Sequence, residues 1–219
     1  MITVWGRHSS VNVQKVLWTL AELDVPFTRE TVGGSFGGNR DADFLAMNPN
    51  GLVPVIRDGD VTMFESNAIV RYLAARYRAG VLRPTDHRAL AMAEQWMEWQ
   101  QTSFASHVSV VFFNQVRLPP EKRNPAAVAE AAKQAAAAIR IADDHLSRHD
   151  WFAGSDFSFA FQIQTQLDAP RVETRTPVEV GCAMELVTLE AESAPAKTTG
   201  QLPPPGSNTR PSACLGKIR

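Results

Sequence analysis

The chain is predicted to fold as a small α/β domain followed by an all-helical region, on three observations. Segments patterned as βαβ and then ββα fill the first 78 residues, the order expected of a compact α/β unit. From residue 85 the apolar spacing becomes helical and stays so to about residue 147. A length of 219 residues is enough to give two small domains adequate cores.

Ile2 to Trp5 reads as a short buried strand, and Gly6-Arg7-His8-Ser9-Ser10 as the loop after it. Asn12 to Leu23 is helical, with Val13, Val16, Leu17 and Leu20 on one face, and Asp24-Val25-Pro26 ends it. Phe27 to Val32 follows as a second strand. The run Gly33-Gly34-Ser35-Phe36-Gly37-Gly38-Asn39 lacks the Gly-Lys-Ser/Thr ending of a phosphate cradle and reads as a flexible loop. Val53 to Arg57 and Val61 to Phe64 form a hairpin about Asp58-Gly59, and Asn67 to Arg78 is a helix burying Ile69, Val70, Leu73, Ala74 and Tyr77.

Arg78 to Pro84 reads as a linker. Thr85-Asp86 opens a helix running through Trp96, Trp99 and Phe104 towards Val116, and Pro119-Pro120 stops it. Asn124 is an N-cap with Pro125 at the first helical position, heading an alanine-rich helix to about Ser147.

Bulk properties exclude several classes. A formal net charge of −1 gives no basic excess to attract nucleic acid or an anionic membrane. No apolar run reaches the roughly 18 residues of a membrane span, and no secretory signal precedes the first strand, so a cytoplasmic location is expected. Cys182 and Cys214 are the only cysteines and fit no metal or redox spacing; no metal is expected.

The most informative stretch is Asn48-Pro49-Asn50-Gly51-Leu52-Val53-Pro54-Val55, followed by Glu65-Ser66-Asn67-Ala68-Ile69. A strand entered through proline leaves Val53 at an edge, where its N–H and C=O are free to pair with an extended peptide. The helix opening on Ser66 offers unpaired N–H groups to a carboxylate, and Glu65 is an anion for an amine. Together these describe a site for a small peptide.

This layout resembles the glutathione transferase family over roughly residues 1 to 160. The resemblance implies a thioredoxin-like glutathione-binding domain over 1–78 and a partial helical domain over 85–160, assembled as a homodimer with a role in detoxification. It makes Pro54 a cis-proline beside Val53, which pairs with the cysteinyl part of glutathione, and assigns Glu65 and Ser66 to the γ-glutamyl end. Asn50 and Asn67 are further glutathione contacts, each equally readable as a turn or solvent-facing residue.

In serine-type, theta-like bacterial members the active serine lies six residues before an apolar residue of the first helix. Counting back from Val16 selects Ser10, with Ser9 as the fallback. Taken alone, Ser10 or Asn12 would be a helix cap; the downstream signature favours a hydroxyl that stabilises the glutathione thiolate for attack on a small apolar electrophile. The absence of cysteine from residues 1–160 argues against the cysteine-type branches, and Tyr72 and Tyr77 are misplaced to serve the thiol.

Beyond Ala160 the pattern departs from the family. Ser158 stands where a capping box begins, but Phe161 replaces its aspartate. Residues 161–219 carry half of the chain's prolines, both cysteines and no tryptophan or tyrosine, and read as a poorly ordered tail of the kind a frameshift leaves. Two alternatives to an active transferase follow: a non-catalytic binding module with the same fold, or the inactive product of a damaged gene.

Overall fold

The computed structural model describes residues 1–77, 80, 82–154 and 156–160; the expected tail and the Phe161 substitution lie outside them. Its first part runs β1 (Ile2–Trp5), α1 (Val11–Glu22), β2 (Phe27–Glu30), α2 (Ala42–Met47), β3 (Val55–Asp58), β4 (Val61–Phe64) and α3 (Ser66–Arg76). The four strands are ordered β2-β1-β3-β4, with β1 and β2 parallel and β3 antiparallel to both of its neighbours. This is the thioredoxin-like arrangement.

Local chemistry explains most of these boundaries. Helix α1 ends with Asp24 at φ 54°, where Val25 N–H reaches Leu20 O at 2.9 Å and Asp24 N–H reaches Ala21 O at 3.1 Å. That is a Schellman closure with an aspartate in the left-handed position usually given to glycine. In the β3–β4 hairpin Asp58 pairs with Val61, so the turn centres on Gly59-Asp60, one residue later than Asp58-Gly59. Gly59 takes φ 62°, which a two-residue hairpin turn with glycine first requires.

Three expectations need correction. Strand β3 is central rather than marginal, because β1 and β4 pair with its two sides. Val53 is therefore not on an edge strand; it precedes β3, and the sheet pairing stops two residues later at Val55. Helix α2 went unforeseen because six residues show too little periodicity to register. The single helix predicted from Asp86 to about Val116 is interrupted twice: α4 (His87–Trp99) passes through a π-helical stretch at Gln100–Phe104 into α5 (Ala105–Phe112), and a second π stretch covers Phe113–Arg117.

The predicted caps are in place. Asp86 Oδ2 accepts from Ala89 N–H at 2.8 Å, and Asn124 Oδ1 accepts from Ala127 N–H at 3.0 Å at the head of α6 (Pro125–Leu146). Ser158 Oγ accepts from Ala160 N–H at 3.3 Å; the capping-box position at Phe161 lies outside the described residues.

Packing joins the two regions. Val13, Val16 and Leu20 of α1 and Ile69, Val70 and Leu73 of α3 are all fully buried, and most of them share a cluster with Ile2, Val4 and Ile56 of the sheet. The same cluster continues through Ala93, Trp96 and Met97 of α4 to Phe152 and Phe159. Phe159 N–H also donates to Leu82 O at 2.8 Å, fastening the connecting segment. A smaller cluster of Phe104, Ala135 and Ala138 lies where α5 and α6 pack together.

Candidate functional site

The 48–55 stretch folds around Asn48. This side chain is 2% exposed; its Nδ2 donates to Leu52 O at 2.7 Å and its Oδ1 accepts from Asn50 N–H at 3.1 Å. Gly51 sits at φ 63°, where a Cβ would lie 2.8 Å from Asn39 O, so the position excludes a side chain on both counts. The Val53–Pro54 bond that follows is cis.

This loop meets the start of α3 across a cleft of about 230 Å³. Val53, Pro54, Glu65, Ser66 and Asn67 line it, so five of the glutathione-site residues named from the sequence converge. Asn50 is not among the lining residues; its side chain turns back to Asn48 Oδ1 at 3.2 Å and completes the loop instead.

Glu65 occupies φ 71° and ψ 105°, a region that costs a side-chain-bearing residue of order 1–3 kcal/mol and is concentrated at functional sites. It heads α3 without capping it, leaving the first N–H groups of the helix to other partners. Ser66 Oγ donates to Asn12 Oδ1 at 3.3 Å, which brings the start of α1 into the wall.

Opposite stand residues that sequence spacing did not mark. Arg71 of α3 forms a close ion pair with Glu98 of α4, and both line the cleft together with Gln101. Arg71 is thus a bridge between the two regions. Beneath the wall lies Lys15, 2% exposed, its Nζ 3.1 Å from Asn67 Oδ1 and 3.3 Å from Gln100 Oε1. Burial lowers its ammonium to about 8, while the Glu65 carboxylate works in the opposite direction.

Ser10 is at the N-cap position of α1 and is 8% exposed, yet its hydroxyl makes no cap bond. The helix therefore does not consume it. Neither Ser9 nor Ser10 is among the residues lining the cleft, although Asn12, two residues beyond Ser10, is. His8 is exposed.

Tyr72 and Tyr77 both donate to Asp58 Oδ2, at 2.9 and 2.7 Å, on the hairpin. Burial and the bond to Asp58 push the Tyr77 hydroxyl up to about 12. Among the apolar residues of α5 and the π stretch after it, Val111 is core at 3% exposure and Phe113 is 57% exposed; neither lines the cleft.

Known proteins resemble this chain in both sequence and fold. The family profile described as "Glutathione S-transferase, N-terminal domain" matches residues 9–76. Glutathione S-transferase GstB of Escherichia coli strain K12 is 46% identical over 159 residues, covering 72% of this chain and 76% of that protein. Glutathione S-transferase 3 of Zea mays is 31% identical over 221 residues, covering 95% of this chain and 98% of its own. Among solved structures, the theta class glutathione S-transferase of Xanthomonas axonopodis pv. citri with glutathione bound superposes with a TM-score of 0.73 at 35% identity. It covers 86% of this chain and 91% of that one.

Proposed function

The chain belongs to the glutathione S-transferase family, and we propose that it binds glutathione in the cleft between the cis-Pro54 loop and the start of α3. The γ-glutamyl ammonium group meets Glu65, and its carboxylate meets the open N–H groups at Ser66. The cysteinyl backbone pairs with Val53, whose peptide groups lie beyond the end of sheet pairing. The observation that carries this reading is the convergence of Val53, Pro54, Glu65 and Ser66 on one cleft from two separate segments of chain. The glutathione-binding part is residues 1–78, and residues 85–160 supply the facing helices.

The reaction is attack by the thiolate on a small apolar electrophile. A free thiol titrates near ~8.5, so much of it is protonated at neutral pH and unreactive. A hydroxyl donating to the sulfur favours the anion, and each unit of lowering represents ~1.36 kcal/mol. Ser10 is the donor: its hydroxyl makes no cap bond, so α1 does not consume it. The N-terminus of α1 adds positive potential. Holding both reactants in one cleft makes the encounter effectively intramolecular, and the thiolate displaces a leaving group or adds to an activated double bond.

Ser10→Ala separates this role from capping. With an aryl halide as probe, turnover near neutral pH should fall by at least about tenfold, as the bound thiol returns towards its free pKa. Affinity for glutathione, measured by calorimetry, should change little. Unchanged turnover in Ser10→Ala with a loss in Ser9→Ala would move the role to Ser9. A cytoplasmic homodimer goes with this reading, and light scattering that gave the mass of a single chain would reject the dimer.

A further inference from the structure

Lys15 takes no part in the transfer step, yet among the described residues it is the charged side chain that the fold buries most deeply. Removing an ammonium from water costs several kcal/mol unless charge and hydrogen bonds compensate it. Its partners come from both regions: Asn67 on α3, Gln100 on the π stretch after α4, and the charge of Glu65 at the head of α3. Gln100 is itself 2% exposed, and the π stretch that begins with it places Gln101 in the cleft wall. An apolar side chain would fill this space without the desolvation cost, so packing alone does not explain a lysine here.

The arrangement does decide which way an amide points. Lysine donates and never accepts, so the amide atom of Asn67 that faces it must be the oxygen. The NH2 group of Asn67 is then left for the cleft that Asn67 lines, beside the open N–H groups at the head of α3. An NH2 in that place is a donor for a carboxylate.

We propose that Lys15 is a positioning residue of the glutathione site: it holds the Asn67 amide with its oxygen inward and its NH2 towards the γ-glutamyl carboxylate, and ties that amide to Gln100 of the helical region. This rests on the reading of the cleft as the glutathione site.

The test uses the full-length protein with Lys15→Met, Asn67→Ala and the double variant, measuring kcat and both KM values with glutathione and an aryl halide. Lys15→Met should raise the KM for glutathione about tenfold, the loss of one hydrogen bond to a charged group. Its kcat should stay within about threefold, and the KM for the aryl halide should not move. Asn67→Ala should do the same, and the double variant should be no worse than the worse single one, because both remove the same contact. Lys15→Arg, which keeps the charge and the donor, should restore most of the affinity.

A Lys15→Met protein with wild-type KM for glutathione overturns the proposal, as do additive penalties in the double variant. If Lys15→Met does not unfold cooperatively, Lys15→Gln compared with Lys15→Arg decides: an equal KM for glutathione in the two rejects the role of the charge. A wild-type melting temperature indifferent to millimolar glutathione overturns the site reading itself, and the Lys15 role with it.

Discussion

The sheet layer and the α6 seam of this molecule are packed by opposite means. Around the sheet, long aliphatic side chains interlock: Val16 and Leu20 of α1, Ile69, Val70 and Leu73 of α3, and Ile2, Val4 and Ile56 beneath them, none more than 1% exposed. Where α6 meets its neighbours, the buried positions are Ala131, Ala135, Ala138 and Ala142, and proximity of the backbones replaces side-chain volume. The first design relies on transfer of large apolar surfaces from water, the second on close approach with little rotamer entropy to lose. The halves also use helix caps differently. Asp86 and Asn124 bond to the helices they head, whereas Ser10 and Glu65 head α1 and α3 without doing so. Capping residues serve stability in the helical half; in the α/β half Glu65 lines the cleft instead, and the Ser10 hydroxyl makes no cap bond.

Leu73→Ala should be the most damaging change, since a fully buried leucine leaves a cavity as well as a lost transfer term; about 2–5 kcal/mol of stability should disappear in chemical denaturation. A loss below about 1 kcal/mol would mean that the α1–α3 layer is loosely packed.

Lys15 gives the next effect, through pH. Its folded value of about 8 lies below its ordinary 10.5, so between these limits the unfolded chain holds a proton that the folded one has released. Stability should therefore rise as pH increases from about 8 to about 10.5, by on the order of 3 kcal/mol, with the burial penalty fully present below that window. Lys15→Met should abolish the rise, as followed by denaturation at a series of pH values.

In the helical half the sensitive direction is reversed. Ala135→Leu should cost about 1–3 kcal/mol, because overfilling a close contact forces the helices apart. Thermal unfolding that left the midpoint unmoved would show room at the α5–α6 contact.

The smallest effects compare the caps. Asn124→Ala should lower stability by about 1 kcal/mol, while Ser10→Ala should change it by a few tenths at most. If the two lost equal stability, Ser10 would be a structural cap and its proposed service to the thiolate would fail.

Much of this was legible in the chain itself. The βαβ and ββα order, the caps at Asp86 and Asn124, the stop at Asp24 and the inward face of α3 follow from periodicity and end chemistry, which act over three or four residues. The Val53-Pro54 and Glu65-Ser66 pairs could be placed for the same reason: strand entry and helix start are local events. Local patterns did not disclose that β3 is central, since its neighbours are chosen by pairing with β1, about fifty residues away. Nor did they disclose the π stretch at Gln100, the Arg71–Glu98 bridge or the burial of Lys15. Each of these depends on what a distant segment presents across the gap. The sequence alone thus determined most of the elements and their ends, and it marked Val53, Pro54, Glu65, Ser66 and Asn67. Tertiary structure decided which of them share a cleft and which polar groups lie behind it, because desolvation and hydrogen-bond pairing exist only once remote segments have met.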